Sequence, residues 1–339
     1  MNSIMPRLAR LDAPGVIHHA MIRGIERRKI FRNNKDRNDM MDRLADLLPA
    51  TNTICYAWAF LSDHAHFLFR SGGAGLSTLM RRLLTGYVVN FNRRYKRHGQ
   101  LFQNRYKSII CQEDIYLREL VRYIHLNPLR AKVVSNITGL NRYKYCGHSA
   151  LMGKRQCPWQ DKRYVLSCFG KSLSSGRDNY YAYVKDGLDQ GRRPELVGGG
   201  LIRSLGGWAE ARMVRLKGQD RMKGDERILG DGDFVMNILS EADERLDRRY
   251  ELKSLGYDLD KVEQRVLEIY QIEREDLYSK GRQRIRAEAR GLFCCWAVRE
   301  LGYGQAELGR RLGMTQPGVG YAVQRGEHIV KENNFLIEK

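Results

Sequence analysis

The sequence predicts an α+β N-terminal part, one antiparallel sheet covered by helices, followed by an all-α part with a helix-turn-helix. Three observations carry that reading. Strand-like and amphipathic helical runs alternate over the first 150 residues, glycines interrupt the middle of the chain, and residues past 255 read as successive short helices. The organisation that follows is 1–150, then a partly helical connecting region over 151–235 that is neither catalytic nor tightly folded alone, then 236–339.

Each element has its own signal. Val16 to Ile22 (VIHHAMI) and Ile54 to Arg70 (ICYAWAFLSDHAHFLFR) interleave β-branched and aromatic residues with polar ones and read as strands. Asp36 to Leu48 sets Met40, Leu44, Leu47 and Leu48 at helical spacing, and Ser77 to Tyr95 does the same with Leu79, Leu83, Tyr87 and Phe91. Asp114 suits the N-cap of a further helix with Leu117, Leu120, Val121 and Ile124 on its apolar face, which Pro128 then stops. The stretch 187–207, GLDQGRRPELVGGGLIRSLGG, breaks both periodicities. Beyond it, Leu259 to Ile272, Ala287 to Leu301, Ala306 to Leu312 and Gln316 to Ile329 read as helices, with Gly313 at the last turn.

Composition narrows the function. The chain has 339 residues with 59 Lys and Arg against 39 Asp and Glu, a net charge of +20 that favours a polyanionic partner, nucleic acid first. A hydrophobic content of 42% argues against a disordered basic tail. No apolar run reaches the length of a membrane span, and the N-terminal residues lack a secretory pattern, so no membrane partner is expected. Seven dispersed cysteines without a CxxC pair suit a reducing cytoplasm, and Cys146, His148, Cys157 and Cys168 fit no standard zinc spacing. Residues 1–150 hold 25 basic against 10 acidic residues, so the main polyanion-binding surface is expected there. A second basic knot, YSKGRQRIRAEAR from Tyr278, is a local phosphate-binding candidate.

Two short patterns carry chemistry. His64 and His66 are one residue apart in a strand, which puts both imidazoles on one side in chelating geometry. Tyr123 and Asn127 are four apart on a helix and share a face, so an amide carbonyl can join the phenol and the imidazoles. That mixed ligand set suits Mg²⁺ or Mn²⁺. A phenol is ionised to only about one part in a thousand at neutral pH, and a divalent ion on a phosphodiester would offset that weakness.

These residues lie in segments that resemble the single-tyrosine HUH transposases, in particular the REP-associated tyrosine transposases: PGVIHHAMIRGIERRKIF at 14–31, DHAHFLF at 63–69, GQLFQNRYKS at 99–108 and LRELVRYIHLNPLRAKVV at 117–134. The resemblance implies a ferredoxin-like HUH fold for 1–150, His64, His66 and Asn127 as metal ligands, and Tyr123 as the nucleophile. It also implies a single-stranded DNA substrate, usually a hairpin, cut to a 5′-phosphotyrosine and a free 3′-hydroxyl. Asp63 stands where the family often has Asn.

Basic residues Arg23, Arg27, Arg28, Arg81, Arg82, Arg93, Arg94 and Arg105, interleaved with Phe31, Phe91, Tyr95, Phe102 and Tyr106, are expected to track single-stranded DNA, with part of that aromatic set in the core. Residues 255–330 resemble the C-terminal DNA-binding domain of the replication initiator DnaA through the basic knot and LGRRLGMTQPGVGYAVQRGEHI. That resemblance implies duplex binding, with phosphate or minor-groove contacts from Arg282, Arg284 and Arg286 beside Lys280. It departs where the initiator reads bases, at Thr315, Gln316, Pro317 and Gly318, so the initiator's recognition sequence does not transfer. Thr315 and Gln316 are DNA-contact candidates by position, Gln316 because it can hydrogen-bond an adenine edge. The expectation is a DNA transposase, an enzyme of strand cleavage and transfer, compatible with a homodimer. A catalytically silent DNA-binding regulator and a rolling-circle-type nickase are the alternatives on the same residues.

Overall fold

The computed structural model describes residues 11–12, 15–191, 193, 196, 225, 227–279, 281 and 283–338, and the chain divides into two units, Met1–Ile238 and Leu239–Lys339. In the first, β1 (Ile17–Arg23), β2 (Ile54–Phe60), β3 (His64–Arg70), β4 (Lys107–Cys111) and β5 (Ile228–Leu229) form one sheet in the order β2-β3-β1-β4-β5. The first four pair antiparallel, as expected; β5 is a two-residue edge addition that runs parallel to β4. The single long strand region read at 54–70 is a hairpin, because Ser62 and Asp63 are turn formers between two runs that alternate well. The bend brings His64 back to the start of β3.

Strand alternation sends the two faces of the sheet into separate cores. Ala20, Ile22, Phe67 and Phe69 face α1 (Asn34–Ala50) and α2 (Gly75–Arg94), meeting Met40, Leu44, Leu79, Leu83 and Tyr87. Leu68, Ile109 and Cys111 face α3 (Glu113–Arg130), meeting Leu117, Leu120, Val121 and Ile124. Each such aliphatic side chain contributes roughly 1.5–3 kcal/mol by leaving water. Asn33 caps α1 by a reciprocal capping box with Asp36.

The helix α3 starts at Glu113, after Gln112, so Asp114 lies in the first turn, where its charge complements the helix dipole, and is not the cap. It also runs two residues past Pro128, which sits in the last turn and removes only one helical donor. The segment after α3 is not a loose connection. The helices α4 (Ile137–Arg142), α5 (Gly147–Leu151), α6 (Lys162–Ser167) and α7 (Leu173–Asp186) contribute Leu140, Leu151, Val165, Tyr180 and Val184 to the α3 core. The GGG run at 198–200 lies outside the described residues.

The division falls within α8 (Gly232–Ser254). The second unit continues with α9 (Leu259–Tyr270), α10 (Arg274–Tyr278), α11 (Arg284–Arg299), α12 (Gln305–Leu312) and α13 (Gln316–Asn333) around Val262, Leu292, Trp296, Leu308, Val319 and Val323. Here α11 and α13 approach backbone to backbone: a Cβ on Gly326 would lie 2.1 Å from the Gly291 carbonyl oxygen. Gly313, left-handed at φ 62°, ends α12, and Thr315 caps α13 by accepting from Gly318 N–H at 3.2 Å.

Candidate functional site

Register builds the site. β1 pairs with β3 so that Met21 faces His66 and Arg23 faces His64, which puts His19, Arg23, His64 and His66 on the sheet face that α3 covers. The Tyr123 ring on α3 stands edge-on to both His19 and His66, with ring centroids 5.9 Å apart in each case. His64 and His66 are 5.3 Å apart. The structure therefore brings together the two histidines and the tyrosine singled out from sequence, although 57 positions separate His66 from Tyr123.

Hydrogen bonds fix the imidazoles. Asp63 Oδ1 lies 2.7 Å from His64 Nδ1; a carboxylate only accepts, so His64 donates from Nδ1 and Nε2 is the nitrogen left for a ligand. His66, 5% exposed, has its Nδ1 3.0 Å from Nε2 of the fully buried His19. Burial, followed by the neighbouring His19, His64 and Arg23, holds His66 well below the ordinary imidazole range, so it is neutral at physiological pH. A neutral imidazole is the form that binds a metal.

Asn127 lies one turn beyond Tyr123, 8% exposed, with a buried Nδ2 that has no hydrogen-bond partner. The two Nε2 positions fit a borderline divalent ion held by imidazoles; the unpartnered Asn127 Nδ2 is an N–H donor, so only its carbonyl Oδ1 could join them as a ligand. Among the described residues no group of three or more His, Cys, Asp or Glu side chains is placed to hold a metal, so such an ion would rest on this sparse, uncharged ligand set.

The site contains two groups that reading the sequence missed. One is His19, whose signal is the strand register rather than any spacing. The other is Arg130, whose guanidinium lies over the Tyr123 ring at 5.3 Å, with Nε and Nη1 buried and unpartnered. Its signal was present, since position 130 is two helical turns from 123 and shares its face.

Behind the site, α3 is tied down by a second imidazole pair. Asn141 Oδ1 accepts from His148 Nε2–H at 2.7 Å, so His148 Nδ1 accepts from the Tyr180 hydroxyl at 2.6 Å. The Tyr180 oxygen in turn accepts from His125 Nδ1–H at 2.7 Å. Further along α3, Glu119 accepts from Arg122 at 2.6 and 2.8 Å, from Arg193 at 3.2 Å and from the Tyr183 hydroxyl.

The expected DNA-contacting residues are placed unevenly. Arg23, Arg27, Arg28, Arg93 and Arg105 are exposed, Arg28 in an exposed pair with Glu26 at 2.8 Å, while Arg81 and Arg82 are half-buried. Arg94 is bound to the carboxylate of Asp36, which is fully buried and needs a cation. Of the interleaved aromatics, Phe31, Phe91, Phe102 and Tyr106 are core residues, and Tyr95 packs against that core with its hydroxyl on Asp36 at 2.9 Å. In the second unit Thr315 and Gln316 are exposed at the start of α13; Arg284 pairs with Glu288 at 2.7 Å and Arg286 with Asp276 at 2.5 Å. Lys280 and Arg282 lie outside the described residues.

Residues 13–127 match the family model described as IS200-like transposase. Among solved structures, a REP-associated tyrosine transposase bound to a REP hairpin is similar at 14% identity and a TM-score of 0.38, over 46% of this chain and 91% of that one. No curated protein matches. The family match spans the strand carrying His64 and His66 and the helix carrying Tyr123 and Asn127, and over these residues the chain is similar to the IS200-like transposases.

Proposed function

We propose that the first unit is a DNA transposase that cuts and rejoins single-stranded DNA through Tyr123. The observation that carries this is the Tyr123 ring set against the His19–His64–His66 imidazole cluster, in which the hydrogen bonds of His64 and His66 use their Nδ1 atoms. In the reaction, the Tyr123 oxygen forms a bond to the scissile phosphorus and gives up its proton. The bond from phosphorus to the 3′-oxygen breaks, and that oxygen takes a proton, leaving a 5′-phosphotyrosine and a 3′-hydroxyl. The phosphodiester energy is retained in the adduct, and attack by another 3′-hydroxyl reverses the step without ATP.

His64, His66 and Asn127 would hold a Mg²⁺ or Mn²⁺ ion, which when bound supplies Lewis-acid polarisation of the scissile phosphate. Arg130 places its positive charge over the Tyr123 ring, and Arg23 adds positive charge at the strand end opposite His64. Exposed Arg27, Arg28, Arg93 and Arg105 would follow the backbone of a hairpin strand. The second unit would bind duplex DNA, with α12 and α13 as a helix-turn-helix and Thr315 and Gln316 at the base edges. A hairpin substrate is in keeping with the REP-associated resemblance.

The test is a denaturing gel of wild type and Tyr123→Phe with labelled hairpin-containing single strands and Mn²⁺ or Mg²⁺. Label should migrate with wild-type protein alone. Binding without an adduct in wild type would favour the regulator, and an undiminished adduct in Tyr123→Phe would remove the assignment.

A further inference from the structure

The imidazole cluster holds a third histidine besides the two proposed as metal ligands. His19 is fully buried on β1, and both of its ring nitrogens are in contact: Nδ1 is 3.3 Å from the Leu196 carbonyl oxygen and Nε2 is 3.0 Å from His66 Nδ1. Its ring stacks on His66 with centroids 5.3 Å apart and planes 28° from parallel.

The direction of the hydrogen bonds follows from the end of the chain. A carbonyl oxygen can only accept, so His19 carries its proton on Nδ1. A neutral His19 then has a lone pair on Nε2, and the 3.0 Å contact requires His66 to donate from Nδ1. We propose that His19 is a positioning residue that sets the tautomer of His66, holding its proton on Nδ1 so that Nε2 stays a lone pair available to a divalent cation. Asp63 does the same for His64 by a different acceptor, and the two imidazoles reach the same ligand state by separate routes. An unrestrained imidazole carries its proton mainly on Nε2, which is the wrong tautomer for ligation through that atom.

The inference deepens the metal-assisted reading of the site and rests on it only for the identity of the ligand. The tautomer itself is measured without DNA. Full-length protein labelled with ¹⁵N-histidine is compared with His19→Gln and His19→Leu by long-range ¹H–¹⁵N correlation, and each is titrated with Mn²⁺ by electron paramagnetic resonance. His66 in wild type should show the Nδ1–H form. His19→Leu should move it toward Nε2–H and weaken Mn²⁺ binding about 10–100-fold. His19→Gln, whose side-chain oxygen accepts from Nδ1–H, should keep both.

Nε2–H in wild-type His66 overturns the proposal, as does an unchanged tautomer in His19→Leu. A loss of Mn²⁺ as severe in His19→Gln as in His19→Leu also overturns it, by making His19 a ligand. If His19→Leu does not fold, the wild-type spectrum and His19→Gln decide. Failure to bind Mn²⁺ with the Nδ1–H tautomer intact counts against the metal reading alone, and absence of a DNA adduct leaves the tautomer result standing.

Discussion

Two imidazole clusters lie on either side of α3 in the first unit, and they use the same side chain in opposite ways. His19, His64 and His66 form a cluster whose hydrogen bonds stop one nitrogen short, leaving Nε2 of His64 and of His66, the latter beside Tyr123, for a ligand. His125 and His148 are joined through Tyr180, both nitrogens of His148 are occupied, and the one nitrogen without a hydrogen bond, His125 Nε2, is buried under Gly147 where no ligand can reach it. The first is built to receive something and the second to hold a helix. The difference lies in the partner: a carboxylate or a histidine relay orients an imidazole and leaves it one-handed, whereas a tyrosine and an asparagine occupy both ends of His148.

The comparison breaks most visibly through the open cluster. His64→Ala or His66→Ala should lower adduct formation at least ~100-fold, with the thermal midpoint little changed; near-wild-type cleavage in chelator would remove the metal role. Gly147→Ala attacks the closed cluster. Its Cβ would lie 2.8 Å from His125 Nε2 and from both side-chain heteroatoms of Gln160, so the variant should lose about 1–3 kcal/mol in denaturant titration while the folded fraction still forms adduct. An unchanged midpoint would show that α5 yields freely.

Acid should load both clusters, because burial holds His66 and His125 as well as His148 below the ordinary imidazole range. Burial lowers His148 to about 3. The unfolded chain therefore binds a proton the folded chain refuses, and the stabilisation present above pH 6.5 is lost as pH falls from there toward 3, at about 1.4 kcal/mol per pH unit for that one proton. His148→Gln should flatten this slope in urea titrations across the same range. The smallest effect is expected far from both clusters: Arg284→Gln should reduce the salt slope of duplex binding by about 1, and no change would take Arg284 out of the interface.

The open cluster was largely legible in the sequence because its parts obey short periods. His64-x-His66 shares a strand face and Tyr123-x-x-x-Asn127 a helix face, and each can be read within five residues. His19 was not legible, since its place beside His66 depends on β1–β3 register across 47 positions. The strand β4 was missed because five residues, one of them Lys107, carry too little alternation. The aromatic platform misled for a physical reason: Phe31, Phe91 and Phe102 between arginines have the same pattern whether they stack on bases or, as here, fill the core under α2. Between 137 and 167 the helices are only five or six residues long, too short to show a helical period, so the complete burial of Leu140 and Val165 was not legible.

The most direct measurement is mass spectrometry of the proteolysed covalent complex formed with a hairpin-containing single strand. The account predicts a nucleotide joined through its 5′-phosphate to the peptide bearing Tyr123, absent in Tyr123→Phe. An adduct on any other residue would contradict it.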